Sequence, residues 1–143
     1  LRTTYDGVAQ RGREIERVLA SATVFVVTTS DPAPVREAIK FYRELPGLAV
    51  SPAAVIFNRI LPEGWAEATA PPGTSVVLEQ NLARWAAETL RQRDTREEFS
   101  SRYGAHIATI RWSPTPPTDL DGLARLLDDS SDLPWEAVGM RAG

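Results

Sequence analysis

Residues 22–61 read ATVFVVTTSDPAPVREAIKFYRELPGLAVSPAAVIFNRIL, and that order of segments leaves few folds open. The continuous β-branched run at 23–29 has the composition of a strand covered on both faces. Asp31 followed by Pro32 predicts a helix start, with a capping carboxylate and then a proline at the first helical position. Val35, Ala38, Ile39, Tyr42 and Leu45 continue a helical stripe, and Pro46-Gly47 stops it. A second covered strand follows at 53–57 and ends on Asn58 and Arg59. Strand, helix and strand make a parallel pair joined by a crossover, and open α/β sheets bind ligands beyond their C-terminal strand ends. On that edge the sequence places Thr28, Thr29, Ser30 and Asp31 from one strand and Asn58 and Arg59 from the next.

The remaining segments extend the same pattern. Residues 1–21 predict a packing helix with Val8, Ile15, Val18 and Leu19 on one side. Residues 62–76 carry Pro62, Gly64, Pro71, Pro72 and Gly73 and predict a loop. A long helix is predicted at 77–103, with Leu78, Leu82, Trp85, Thr89, Phe99 and Tyr103 at helical spacing. Its middle, RQRDTREE at 91–98, is polar all round, so the helix is expected to break or project there. Residues 106–129 predict a third strand, a rigid proline loop from Ser113 to Pro117, and a final helix capped by Thr118-x-x-Asp121. Leu120, Leu123, Ala124 and Leu127 are expected to face inward, and residues 130–143, apart from Trp135, to form a loose tail. The fold class is therefore α/β: a partial parallel sheet of about three strands with helical crossovers. So thin a sheet has exposed edges, which implies further strands elsewhere or a partner.

Composition narrows the function. A chain of 143 residues is one domain's worth of material. A net charge of −3 argues against a nucleic-acid surface. There is no cysteine, which removes disulfides, thiolate metal sites and thiol nucleophiles and fits a reducing cytoplasm. No apolar run approaches the roughly 18 residues of a membrane span. The first residue is Leu1, not methionine, which suggests a piece of a longer protein. Lys40 is the only lysine, and its helical surroundings are wrong for a phosphate loop.

Several residues are candidates for chemistry. Asn58 is able to read an adenine edge, since a carboxamide matches a ring nitrogen beside an exocyclic amine; it is equally a common turn residue. Arg59 is able to reach a phosphate, stack on a base or make a surface ion pair. Asp31 serves as the helix cap, with acceptor capacity left for a ribose or a partner subunit. His106 has no second histidine or carboxylate cluster beside it and reads as a strand-start residue with a structural hydrogen bond. Ser30 and Ser113 lack a base in sequence, so nucleophilic catalysis has no support. Asp128, Asp129 and Asp132 lack the glycine and terminal glutamate of a calcium loop.

The segments AlaThrValPheValValThrThr at 22–29, Asp31-Pro32 with its helix, and ValIlePheAsnArgIleLeuPro at 55–62 together resemble the C-terminal half of the arsenite-pump and tail-anchored-protein-targeting ATPases. These are anion-transporting ATPases of the deviant Walker P-loop class. Residues 114–127, with Asp121-Gly122-Leu123-Ala124-Arg125-Leu126, are similar to that family's proline-bearing loop and last helix. The resemblance covers about 13–127 and implies a fragment of a P-loop NTPase fold. It implies that Asn58 contacts adenine, that the loop of Trp112, Ser113, Pro114 and Thr115 flanks the base, and that Asp31 lies near the nucleotide of an opposite subunit. It implies ATP and Mg²⁺ as cofactors of the complete protein, a homo- or heterodimer of the parent, and room for a membrane-protein partner. The family's Gly-Lys-rich loop, switch aspartates and Cys-x-x-Cys zinc clasp have no counterpart in this chain. Phosphate cradling and water activation depend on the first two, so the chain alone is expected not to hydrolyse ATP. A non-catalytic interaction or dimerisation module is the competing expectation.

Overall fold

Three parallel strands carry the structure, β1 (Phe25–Thr28), β2 (Ala54–Ile60) and β3 (Ile107–Arg111), adjacent in chain order. The computed structural model describes residues 2–133, with side chains described from Gln10 to Val18 and from Ser21 onward. The helices are α1 (Arg2–Ser21), α2 (Pro32–Glu44), α3 (Val76–Tyr103) and α4 (Leu120–Asp128). Helices α2 and α3 are the two crossovers, so the predicted α/β class with a small parallel sheet is what the chain forms. The predicted tail residue Trp135 lies outside the described residues, as do the side chains of Val8 and Leu19.

Register assigns the two sheet faces. Val26 pairs with Val55 and Val55 with Ile107, so these three share one face, and Thr28 and Phe57 lie on it further along. Both crossover helices pack on this face. Phe57 meets Phe99 of α3 edge-on at 5.8 Å, and Phe99 meets Tyr42 of α2 edge-on at the same distance. Val26, Ala38, Leu45, Val55, Phe57 and Phe99 form the centre of the core. Edge-to-face rings at such distances add to the burial of large apolar groups, which supplies most of the stabilisation.

The other face is only partly covered, against the expectation for residues 23–29. Ala54 and Ala108 are buried there, whereas Val27 is 61% exposed. Two further expectations fail in the same way. Ile15 and Val18 of α1 are exposed, so α1 does not bury its apolar stripe. Leu120, Leu123 and Leu127 of α4 are exposed rather than inward, at 82%, 46% and 40%. Amphipathic spacing specified these faces correctly as apolar but carries no information on which surface covers them.

Helix α3 corrects the sequence reading most. It runs unbroken for 28 residues, from a Ser75 cap whose hydroxyl accepts from Leu78 N to a left-handed Gly104 at φ 62°. Trp85, Thr89, Gln92, Arg96, Phe99 and Tyr103 recur at alternating spacings of four and three, which is one helical stripe. Gln92 is buried among them and only 11% of the Arg96 side chain is exposed. Gln92 and Arg96 therefore face inward while Arg93, Asp94, Glu97 and Glu98 face solvent, and the helix does not break. Because Phe99 joins both helices to the sheet, Phe99→Ala is expected to lower stability by about 3–5 kcal/mol. Leu78→Ala, at a site 49% exposed, is expected to change it by no more than about 0.5 kcal/mol, and urea titration of the two variants measures both effects.

Candidate functional site

Backbone groups leaving the C-terminal ends of the strands have lost their ladder partners, and α3 replaces them. Gln92 Oε1 accepts from Leu61 N at 2.9 Å, where the chain leaves β2. Arg91 Nη1 donates to Ser30 O at 2.8 Å, where it leaves β1. Glu88 orients both donors: it accepts from Arg91 Nε at 2.7 Å and from Gln92 Nε2 at 3.0 Å. The hydrogen bond from Arg91 holds the Glu88 carboxyl below its ordinary value against an opposing effect of burial, and the same bond raises Arg91. Arg96 donates to Glu63 in the short 3₁₀ turn after β2. These polar residues of α3 were not identified from sequence. The signal was the stripe itself, which continues through Gln92 and Arg96 between Thr89 and Phe99.

Asp31 occupies the cap position of α2, but its carboxylate makes no capping hydrogen bond, which corrects the sequence reading. The physical reason lies in Pro32 and Pro34. Neither has an N–H, so of the first three helical residues only Ala33 has a donor for a cap to satisfy. The carboxylate instead accepts from Thr29 Oγ1 at 2.9 Å. Asp31 is thus pinned at the sheet edge with acceptor capacity to spare. Beside it Ser30 is buried, and its hydroxyl has no hydrogen-bond partner among the described residues.

Strand β2 does not stop at Phe57 as the sequence implied but continues to Ile60 through a bulge. Asn58 pairs with Ile110 and Ile60 with Arg111, leaving Arg59 unpaired at φ 63°. A non-glycine residue in the left-handed region costs on the order of 1 kcal/mol or more and is held only by its surroundings. Here Asn58 Oδ1 accepts from Arg59 N at 2.9 Å, and Trp112 N donates to Ile60 O at 2.8 Å. Bulges re-aim side chains. This one places Arg59 in a cavity of about 260 Å³ with Ser30, Asp31, Trp85 and Trp112. Arg59 forms no ion pair among the described residues.

Trp112 separates that cavity from a second, of about 560 Å³, bordered by Ser113, Pro114, Thr115 and Arg125. Ser113 Oγ donates to Thr115 O at 2.7 Å, which stiffens the loop and occupies the hydroxyl hydrogen. The final helix is capped by Asp119, whose carboxylate accepts from Gly122 N at 2.7 Å, and not by Thr118 as the sequence suggested. A Cβ at Gly122 would come within 3.0 Å of that carboxylate, so the turn favours glycine. Trp65 meets Trp85 at 5.5 Å and Trp112 at 6.2 Å, an aromatic cluster not foreseen from sequence.

Of the residues identified from sequence, Asp31 and Arg59 line the smaller cavity and Ser113, Pro114 and Thr115 the larger, both at the C-terminal edge of the sheet. Asn58, half-buried, lines neither, and its amide nitrogen makes no hydrogen bond among the described residues. His106 Nε2 donates to Asp132 O at 2.9 Å, a structural contact. Among the described residues no group of three histidine, aspartate or glutamate side chains is placed to hold a metal, and no helix is long and apolar enough to cross a membrane. Neither a protein-family model nor a curated protein matches the chain.

The lowered Glu88 value fixes the sign of one pH effect. A depressed carboxyl stabilises the folded state fully above the ordinary glutamate value of about 4.3 and ceases to do so as pH falls through the lower folded value. Glu88 is partly solvated, so the effect is modest. Glu88→Gln is expected to melt at a lower temperature than the parent chain at pH 7, with the gap closing on acidification below about pH 4. Thermal melts monitored by circular dichroism across that range measure it.

Proposed function

We propose that this chain is the C-terminal, adenine-side part of an anion-transporting-type P-loop ATPase, which binds an adenine nucleotide at the C-terminal edge of its sheet. The observation that carries the reading is the Asn58–Arg59 bulge, a strained arginine held by its neighbour's carboxamide at the edge where parallel sheets take ligands. Asn58 keeps its amide N–H groups and one carbonyl lone pair, the donor and acceptor that an adenine edge requires. Trp112 and the proline loop offer flat apolar surface to a base. Asp31 offers an acceptor to a ribose hydroxyl, and Arg59 a cation to the phosphate chain.

The residues present fit the nucleoside side of such a ligand and not its reacting end. Lys40 is exposed on α2 and lines a surface hollow with Arg36, Ile39 and Arg43, none of them among the residues of the edge. Phosphoryl transfer requires a lysine, backbone amides and magnesium around the γ-phosphate. In this reading ATP and Mg²⁺ are cofactors of the complete protein, and the elements that hold the phosphates belong to another segment or chain. The competing reading, a non-catalytic interaction module, draws on the exposed apolar faces of α1 and α4.

Tryptophan emission distinguishes the two, because Trp65, Trp85 and Trp112 cluster at the proposed site. ADP is expected to change the emission saturably, GDP much less. Asn58→Ala is expected to weaken ADP binding by about 1–3 kcal/mol, the cost of a lost buried hydrogen-bond pair. Phosphate release from MgATP is expected to stay at background. Turnover by the isolated chain, or an ADP affinity indifferent to Asn58→Ala, would contradict the assignment.

A further inference from the structure

A buried hydroxyl without a hydrogen-bond partner is costly, and folded chains keep few of them. Ser30 carries one. It is 3% exposed, its Oγ has no partner among the described residues, and it lines the cavity of about 260 Å³ at the ends of the strands. Most polar groups around it are committed. Gln92 holds Leu61 N, Glu88 accepts from Arg91 and Gln92, and Thr29 Oγ1 donates to Asp31. What remains free to meet a ligand is the Ser30 hydroxyl, the other lone pairs of the Asp31 carboxylate, and the Arg59 guanidinium. Trp85 and Trp112 supply apolar walls. The lining residues come from the ends of all three strands and from α3, so the cavity needs no strand beyond the free edge of β1.

We propose that this cavity is the sugar pocket of the nucleotide site, and that Ser30 and Asp31 make the site select ribonucleotides over 2′-deoxyribonucleotides. The inference rests on the adenine-nucleotide reading above. The free groups define the ligand. A carboxylate only accepts, so it calls for a hydroxyl donor; a serine beside it both donates and accepts, and calls for a second hydroxyl next to the first. A vicinal diol meets both. The guanidinium calls for an anionic group on the same molecule, and the indole faces suit the C–H face of a sugar ring. Inorganic phosphate would meet Arg59 but offers no diol. A free purine would meet the indoles but leave Ser30 unpaired. Sites built to hydrogen-bond a hydroxyl reject the analogue that lacks it, because their buried polar group is then left without a partner. The 2′-hydroxyl is the group that distinguishes the two sugars.

The test titrates ADP and 2′-deoxy-ADP against the full chain by tryptophan emission, with inorganic phosphate as a competitor. ADP is expected to bind at least about tenfold more tightly than its deoxy analogue. Ser30→Ala is expected to remove most of that preference by weakening ADP, with little change for 2′-deoxy-ADP. Without nucleotide the same variant is expected to melt no lower than the parent chain, since it deletes a hydroxyl that has no partner to lose. A lower melting temperature would show the hydroxyl already satisfied and overturn its assignment to a ligand. Should Ser30→Ala fail to fold, Asp31→Ala, at an exposed position, is expected to reduce the same preference and decides. Equal affinity for the two nucleotides would overturn the sugar pocket and leave the nucleotide site standing. Absence of ADP binding at millimolar concentration would overturn both. Displacement of ADP by phosphate, with no dependence on the sugar, would assign the cavity to an anion instead.

Discussion

Helix α3 satisfies the backbone where the parallel sheet runs out, and the edge depends on that. A strand that ends leaves donors and acceptors with no ladder partner, and a buried orphan costs about 1–3 kcal/mol. Gln92 takes the Leu61 N–H and Arg91 takes the Ser30 carbonyl, so a single helix ties the ends of β1 and β2 at positions one residue apart. Glu88 fixes both side chains and gains a lowered pKa from the arrangement. Two turns further on, the same stripe delivers Phe99 to the core. Helix α3 thus joins the packing of the fold to the geometry of its edge.

With the strand ends held, less common conformations are sustained beside them. Arg59 remains left-handed because Asn58 accepts its N–H and because Ile60 resumes pairing on the far side of the bulge. Asp31 leaves its cap role because two prolines have removed most of the donors it would serve. Both charges are turned toward one cavity without forming an ion pair with each other. A carboxylate and a guanidinium held apart in a hollow edged by indole rings suit a ligand that has a flat ring, hydroxyls and an anionic group. That is the physical content of the nucleotide proposal.

Much of the topology was legible in the sequence, because β-branched runs, proline-marked helix starts and glycine stops are local signals. The strands, the crossovers and the shared edge of Asn58 with the Ser113 loop follow from them. The misreadings have particular causes. Hydrophobicity read RQRDTREE as solvated, although Gln92 and Arg96 continue the inward stripe; a polar side chain is inward when backbone beneath it lacks a partner, which is a tertiary fact. Residue type suggests a cap at Asp31, but the proline at the third helical position removes a donor that such a cap would serve. The bulge at Arg59 depends on β3 pairing on both sides of it, which no local signal encodes. The apolar faces of α1 and α4 were recognised as apolar, but which surface covers them is not a property of spacing.

Whether the C-terminal edge is the ligand site is decided most directly by backbone amide chemical shifts of the isotopically labelled chain during titration with ADP. Saturable perturbations confined to 28–31, 57–61 and 111–115, with smaller effects from inorganic phosphate alone, are expected if the nucleotide rests on Asn58, Arg59 and the proline loop. Perturbations centred elsewhere, for instance around Arg96, Asp128 and Asp132, or none at millimolar ADP, would contradict a nucleotide site at this edge.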